Sequence, residues 1–230
     1  MNSTLFLQTA RFASVWAAFL LFACTPANGN KPAESVQTPV SVVNEAPANL
    51  EGLSKAYFAS GCFWCVEAVF ESVKGVSEAV SGYAGGTDPN PTYEKIGTGR
   101  TGHAESVEVY YDSTVVSYAT LVKVFFGSHD PTTLNRQGPD AGTQYRSIAF
   151  YQNETEKKII EDYIRQLEAS GEYRSKIVTQ VVPFTVFYPA EGYHQNYEKN
   201  HPENPYVQSV SIPRLRKFQA KYPELLKQNH

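Results

Sequence analysis

A strand-like run at residues 55–59 passes within a few residues into a stretch of helical spacing, and the hinge between them is Gly61-Cys62-Phe63-Trp64-Cys65. This junction constrains the fold more than any other part of the chain. Phe63, Val66, Phe70 and Val73 recur at steps of three and four, so an apolar helix face must fold back onto the sheet that the strand joins. Cys62 is expected in the first turn, where unpaired backbone N–H groups and the helix dipole favour a thiolate. Cys65 falls one turn on, on the same side. The residues therefore suggest a nucleophilic sulfur with a second sulfur within reach. The whole chain has 230 residues and only 3 cysteines, too few for a disulfide scaffold, so a packed core must supply the stability.

The chain ahead of this junction reads as an address. Residues 1–24 carry one charge, Arg11, and then an apolar run ending Leu21-Phe22-Ala23-Cys24. The run is short for a bilayer span but suits a signal-peptide core. Its end resembles a bacterial lipoprotein box, with Cys24 as the acylated residue, although Phe22 is bulkier than that box usually has. The expected location is therefore the cell envelope, on a periplasm-facing membrane. An uncleaved anchor, or a plain secretory signal leaving a soluble periplasmic protein, is the alternative. Residues 25–52 are proline-dotted and lack apolar periodicity, which predicts a solvated tether. The folded domain is expected over 53–230. A net charge of −3 gives no reason to expect nucleic acid as a partner.

Within the domain, strands are predicted over 76–83, 104–112 and 143–151, and helices over 117–126 and 153–169. Asn153 and Glu156 form a capping box at the start of the second of these helices. Residues 82–93, rich in Gly and Pro, read as a long loop. A β-rich run over 176–188 is broken by Pro183, and short helices or ordered coil follow at 193–200 and 213–221. The order β-α-β-β-α-β predicts an α+β two-layer sandwich with a split β-α-β, ferredoxin-like core and C-terminal additions.

Among the carboxylates, Glu67 lies about 140° around the helix from Cys62 and is expected to be solvated. Glu105 shares strand parity with Val107, Val109 and Tyr111, which turns it toward the apolar face. Burial there would raise its pKa and make it a proton donor. The alternative is a frayed strand start that lets Glu105 reach water. Tyr93 and Tyr145 are hydroxyl donors in principle, though any one of 15 tyrosines is more simply packing. Phe63 and Trp64 could line an apolar pocket or belong to the core. His194 and His201 are spaced too widely for a usual zinc pair, and no metal or cofactor is expected.

Taken together, several stretches resemble the A-type peptide methionine sulfoxide reductases. They are Gly61-Cys62-Phe63-Trp64, Gly82-Tyr83-Ala84-Gly85-Gly86, Pro91-Thr92-Tyr93, Thr101-Gly102-His103-Ala104-Glu105, Asp140-Ala141-Gly142-Thr143-Gln144-Tyr145-Arg146-Ser147 and Tyr193-His194-Gln195. The resemblance implies reduction of the S-epimer of methionine sulfoxide, free or in oxidised proteins. It assigns the nucleophile to Cys62, a methyl-binding cage to Phe63 and Trp64, the acid to Glu105, hydroxyl donors to Tyr93 and Tyr145, and a supporting polar role to Asp140. It further implies a sulfenic acid on Cys62 that a second thiol converts to a disulfide, reopened by thioredoxin or a related dithiol protein. The common motif has glycine where this chain has Cys65. Many members place resolving cysteines near the C-terminus, yet residues 66–230 contain none, which leaves Cys65 for that task. A monomer is expected. The rivals are a thioredoxin-type oxidoreductase, whose signature also includes C-x-x-C at a helix start, and a lipid-anchored binding module.

Overall fold

The structure is a computed structural model, and it describes residues 50–228. The expected signal, the expected acylation position Cys24 and nearly all of the expected tether lie outside the described residues.

Four strands form the heart of the sheet: β1 (Ser54–Ser60), β2 (Val76–Ala84), β3 (Ala104–Tyr111) and β6 (Ser147–Tyr151). Their order is β6-β1-β3-β2, with β1 antiparallel to both β3 and β6, and β2 antiparallel to β3. Helix α1 (Phe63–Glu71) therefore links two parallel strands across β3. Helix α3 (Tyr118–Gly127) does the same across β1. This is the split β-α-β arrangement expected from the order of elements. Helix α4 (Glu154–Ser170) packs beside α3 and opens with Asn153 accepting the Glu156 N–H at 3.0 Å.

The β-rich run after α4 divides at Pro183. Strand β7 (Gln180–Pro183) pairs in parallel with β6 at one edge, while β8 (Phe187–Pro189) pairs antiparallel with β2 at the other. The connection carries Phe184 and Phe187 across the sheet face opposite the helices, where Phe184 stacks on Tyr57 at 3.6 Å. Both faces of β3 are consequently buried, not one. Val107 and Val109 meet the helices, and Ser106 and Glu108 are enclosed on the second face. Glu108 accepts the Tyr57 hydroxyl at 2.8 Å and the Lys55 ammonium at 3.0 Å.

Two local expectations change. The segment 143–145 is a 3-10 turn, Thr143–Tyr145, and the strand begins only at Ser147, because Gly142 at φ +141° breaks the extended run. The long loop ends in a short helix, α2 (Tyr93–Gly97), whose first turn is capped by the Thr92 hydroxyl accepting the Lys95 N–H at 3.4 Å. A two-strand hairpin, β4 (Arg136–Gln137) and β5 (Asp140–Ala141), precedes that turn. The C-terminal segment supplies α5 (Tyr197–Asn200), a π-helical turn at Val207–Ser211, and α6 (Ile212–Lys221), which packs on α1.

Candidate active site

Cys62 occupies the N-cap position of α1, and no side chain caps that helix start. Gly61 before it has φ +87°, and a Cβ there would lie 2.6 Å from Gln137, so only glycine fits the turn that presents the sulfur. Burial pushes the Cys62 thiol well above its ordinary value, and the sulfur and carboxyl of Cys65 and Glu105 add to it. This corrects the expectation of a helix-stabilised thiolate: desolvation outweighs the dipole of a short helix. The neighbouring Cys62 thiol lowers the Cys65 thiol to about 6, against its burial and with help from Arg214, Ser211 and Tyr206.

Glu105 is 2% exposed and sits opposite Tyr83 in the ladder, so the frayed-strand alternative does not hold. One carboxyl oxygen accepts the Phe63 N–H at 3.1 Å; the other takes no hydrogen bond from the described residues. Burial raises this carboxyl to about 8, opposed by the Phe63 N–H and reinforced by Asp140 and Cys65, so it is neutral at pH 7.

The aromatic residues converge on the same place. The ring of Phe63 lies 6.3 Å from Tyr93 and 6.2 Å from Trp64. Burial raises the Tyr93 hydroxyl to about 12, followed by the charges of Glu105 and Cys62. Tyr145 is raised by burial and then by Glu105, Tyr93, Asp140 and Cys62, which brings its hydroxyl into the same cluster. Asp140 stands beside them, accepting the Tyr206 hydroxyl at 2.5 Å, and Tyr206 in turn lies 4.0 Å from the Cys65 sulfur. Burial raises the Asp140 carboxyl, against the hydrogen bond from Tyr206 and the charge of Arg214. Cys62, Cys65, Phe63, Trp64, Tyr93, Glu105, Asp140 and Tyr145 thus gather at the N-terminal end of α1, while Glu67 and His201 lie away from it.

The sequence reading missed several neighbours. Trp64 donates its Nε1–H to His194 Nδ1 at 3.1 Å and stacks on Tyr197 at 3.7 Å. His194 is buried and neutral, with Nε2 lacking a partner among the described residues and Glu191 4.0 Å away. Tyr193-His194-Gln195 stood out as a motif, but nothing in its spacing tied it to Trp64. Glu67 is the plain error. It is 2% exposed, accepts hydrogen bonds from the Ser81 hydroxyl and the Asn196 N–H, and is raised by burial to about 8. The side of α1 expected to face water is covered by β2 and by the segment from 195 onward. Gln195 locks that cover in place by bonding both backbone groups of Ser81 at 2.9 Å.

Comparison with known proteins agrees with this geometry. The family model for peptide methionine sulfoxide reductase matches residues 54–226. A peptide methionine sulfoxide reductase MsrA from Polynucleobacter asymbioticus is 48% identical over 178 residues, covering 77% of this chain and 94% of the relative. One from Picrophilus torridus is 51% identical over 166 residues, covering 72% and 93%. Among solved structures, methionine sulfoxide reductase A of Corynebacterium diphtheriae superposes with a TM-score of 0.62 at 36% identity, covering 76% of this chain and 87% of that one. Reduced Mxr1 from Saccharomyces cerevisiae gives 0.62 at 33% identity, covering 69% and 90%. With the match running through nearly all of the described fold, the chain belongs to the peptide methionine sulfoxide reductase family.

Proposed function

We propose that this protein reduces methionine S-sulfoxide, in proteins and free, through a sulfenic acid on Cys62 and a Cys62–Cys65 disulfide. The observation that carries the reading is a neutral, buried Glu105 with one unengaged carboxyl oxygen in the same enclosure as the free Cys62–Cys65 dithiol. A sulfoxide oxygen leaves poorly until it is protonated, so a thiolate needs an acid on the far side of the sulfur.

The substrate's methyl group lies against Phe63 and Trp64, and its oxygen lies toward Glu105, Tyr93 and Tyr145. The dithiol pair gives up its first proton readily, and transfer of the remaining proton to Cys65 puts the charge on Cys62. Cys62 attacks the sulfoxide sulfur while Glu105 protonates the oxygen, which gives a Cys62–substrate S–S bond, a hydroxyl on the substrate sulfur and the Glu105 carboxylate. The hydroxyl then passes to the Cys62 sulfur as the S–O and S–S bonds break and the electron pair returns to the substrate sulfur, leaving Cys62 sulfenic acid and methionine. The Cys65 thiol then attacks the sulfenic sulfur, releasing water and forming the disulfide. A thioredoxin-type dithiol protein reduces that disulfide by exchange. Asp140 supports the site through Tyr206. A soluble thioredoxin-like role is disfavoured because it leaves Glu105 and the aromatic enclosure without work.

In this reading Cys24, outside the described residues, is acylated and anchors a monomeric enzyme to the cell envelope. Labelled palmitate should enter the protein and be absent from Cys24→Ser; label that persists in the variant removes the anchor. The deciding assay offers each epimer of a blocked methionine sulfoxide with dithiothreitol. Turnover of the S-epimer is expected, and turnover of the R-epimer alone, or of neither, overturns the assignment. For Cys65→Ser, one methionine per enzyme should still form while thioredoxin-driven cycling stops. Continued cycling would mean that resolution does not need Cys65.

A further inference from the structure

The resolving step has a proton to move, and Glu105 cannot supply it. When the Cys65 thiol condenses with Cys62 sulfenic acid, the S–O bond breaks and the oxygen leaves as water only if it gains a proton. Glu105 has already given its own proton to the sulfoxide oxygen. The proton available is the one on Cys65, the sulfur that attacks.

Tyr206 stands where such a transfer passes. Its hydroxyl lies 4.0 Å from the Cys65 sulfur and donates to the Asp140 carboxyl at 2.5 Å. Burial dominates the Cys62 thiol, Cys65 and Glu105 add to it, and the Tyr206 hydroxyl acts against them. At Cys65 the Cys62 thiol does most to lower the sulfur, and Tyr206 acts in the same sense behind Arg214 and Ser211. One hydroxyl thus acts on both sulfurs. Burial, followed by the charges of Cys62 and Cys65, raises Tyr206 itself, so the phenol keeps its proton at pH 7. Such a phenol passes a proton on by accepting another in the same event.

The C-terminal segment fixes this hydroxyl in place. The Asn204 side chain accepts the Tyr206 N–H at 2.8 Å, just ahead of the π-helical turn at Val207–Ser211. The ring meets Trp64 edge-on at 6.0 Å, so it packs beside the methyl-binding cage while its oxygen reaches past it to Cys65.

We propose that Tyr206 is a catalytic residue of the resolving step, passing the Cys65 proton to the oxygen that leaves Cys62. This rests on the Cys62–Cys65 disulfide proposed above. The Tyr206 oxygen accepts the Cys65 proton as that sulfur attacks, and the phenol's own proton turns from Asp140 to the sulfenic oxygen. The Cys65 S–H and Cys62 S–O bonds break, an S–S bond and a new O–H bond form, and water leaves. Cys65 is oxidised, the sulfenic sulfur is reduced by the same amount, and Tyr206 ends as it began.

The test follows both products of one turnover, methionine and the disulfide, by rapid quench after mixing reduced enzyme with one equivalent of methionine S-sulfoxide. The parent enzyme should lose two hydrogens in intact mass; an unchanged mass overturns the underlying disulfide, and this proposal with it. Tyr206→Phe keeps the ring against Trp64 and removes only the hydroxyl. In this variant methionine release should fall by less than about threefold, while disulfide formation slows by about tenfold or more. Dimedone should then capture sulfenic acid on Cys62. Disulfide that keeps pace with methionine, as in the parent, overturns the proposal. An equal loss in both steps overturns it as well, because it would leave Tyr206 a packing residue only.

Discussion

Glu67 and Glu105 are two carboxyls with nearly the same burial and opposite circumstances. Each is 2% exposed, and burial raises each to about 8. Glu67 has both oxygens engaged, by the Ser81 hydroxyl and the Asn196 N–H. Glu105 has one oxygen held by the Phe63 N–H and the other without a hydrogen bond from the described residues. A raised pKa alone does not identify an acid that works on a substrate. An unengaged oxygen in the nucleophile's enclosure does, while a fully engaged carboxyl ties elements together.

The sharpest way to break this contrast is Glu105→Gln. Single-turnover methionine formation should fall by about 10²–10⁴-fold, the range expected on losing a general acid. Cys62 should remain open to alkylation, and an undiminished rate would remove Glu105 from the chemistry. The opposite pattern is expected of Glu67→Ala. Two buried donors lose their acceptor, at about 1–3 kcal/mol for each unsatisfied group. A drop in the urea midpoint with near-normal turnover per folded molecule would confirm a tying role; a matching loss of rate would erase the distinction.

pH separates the two more finely. The single-turnover rate should fall as pH rises through about 8, where Glu105 loses the proton it donates, and Glu105→Gln should lack that limb. Stability follows the same ionisations. Both carboxyls hold their protons more tightly folded than unfolded, so their contribution is fully present below about 4.5 and is lost as pH rises through about 8. Glu67→Gln, already neutral, should remove part of that slope from urea midpoints measured between pH 5 and 9. The smallest effect is expected from Asp140→Asn, which keeps an acceptor for Tyr206 and should change the single-turnover rate by less than tenfold.

Much of this was legible in the chain, for reasons particular to each element. The period of two in β3 put Glu105 on the face of Val107 and Val109, and that face is the one the helices cover. The strand order followed from alternation of elements and the need to bury α1. Glu67 was illegible because helix periodicity shows which side of α1 meets the sheet, not that Gln195 and Asn196 return to seal the other side. His194, Tyr206 and Arg214 were hidden likewise: each reaches the site from the C-terminal segment, where short turns carry little periodic signal. Tyr145 reads as strand only until Gly142 breaks the extended run before it.

The uncapped start of α1 has one more consequence. Serine, threonine, aspartate or asparagine at an N-cap stabilises a helix by about 0.5–2 kcal/mol over residues that cannot cap. Here that position belongs to a sulfur. The helix forgoes a stabilising hydrogen bond so that its first residue can react, and Cys62→Ser should yield an enzyme that is dead yet melts higher than its parent. Selection on thermal endurance alone would discard the catalyst first, because at this one position resilience and reactivity compete for the same atom.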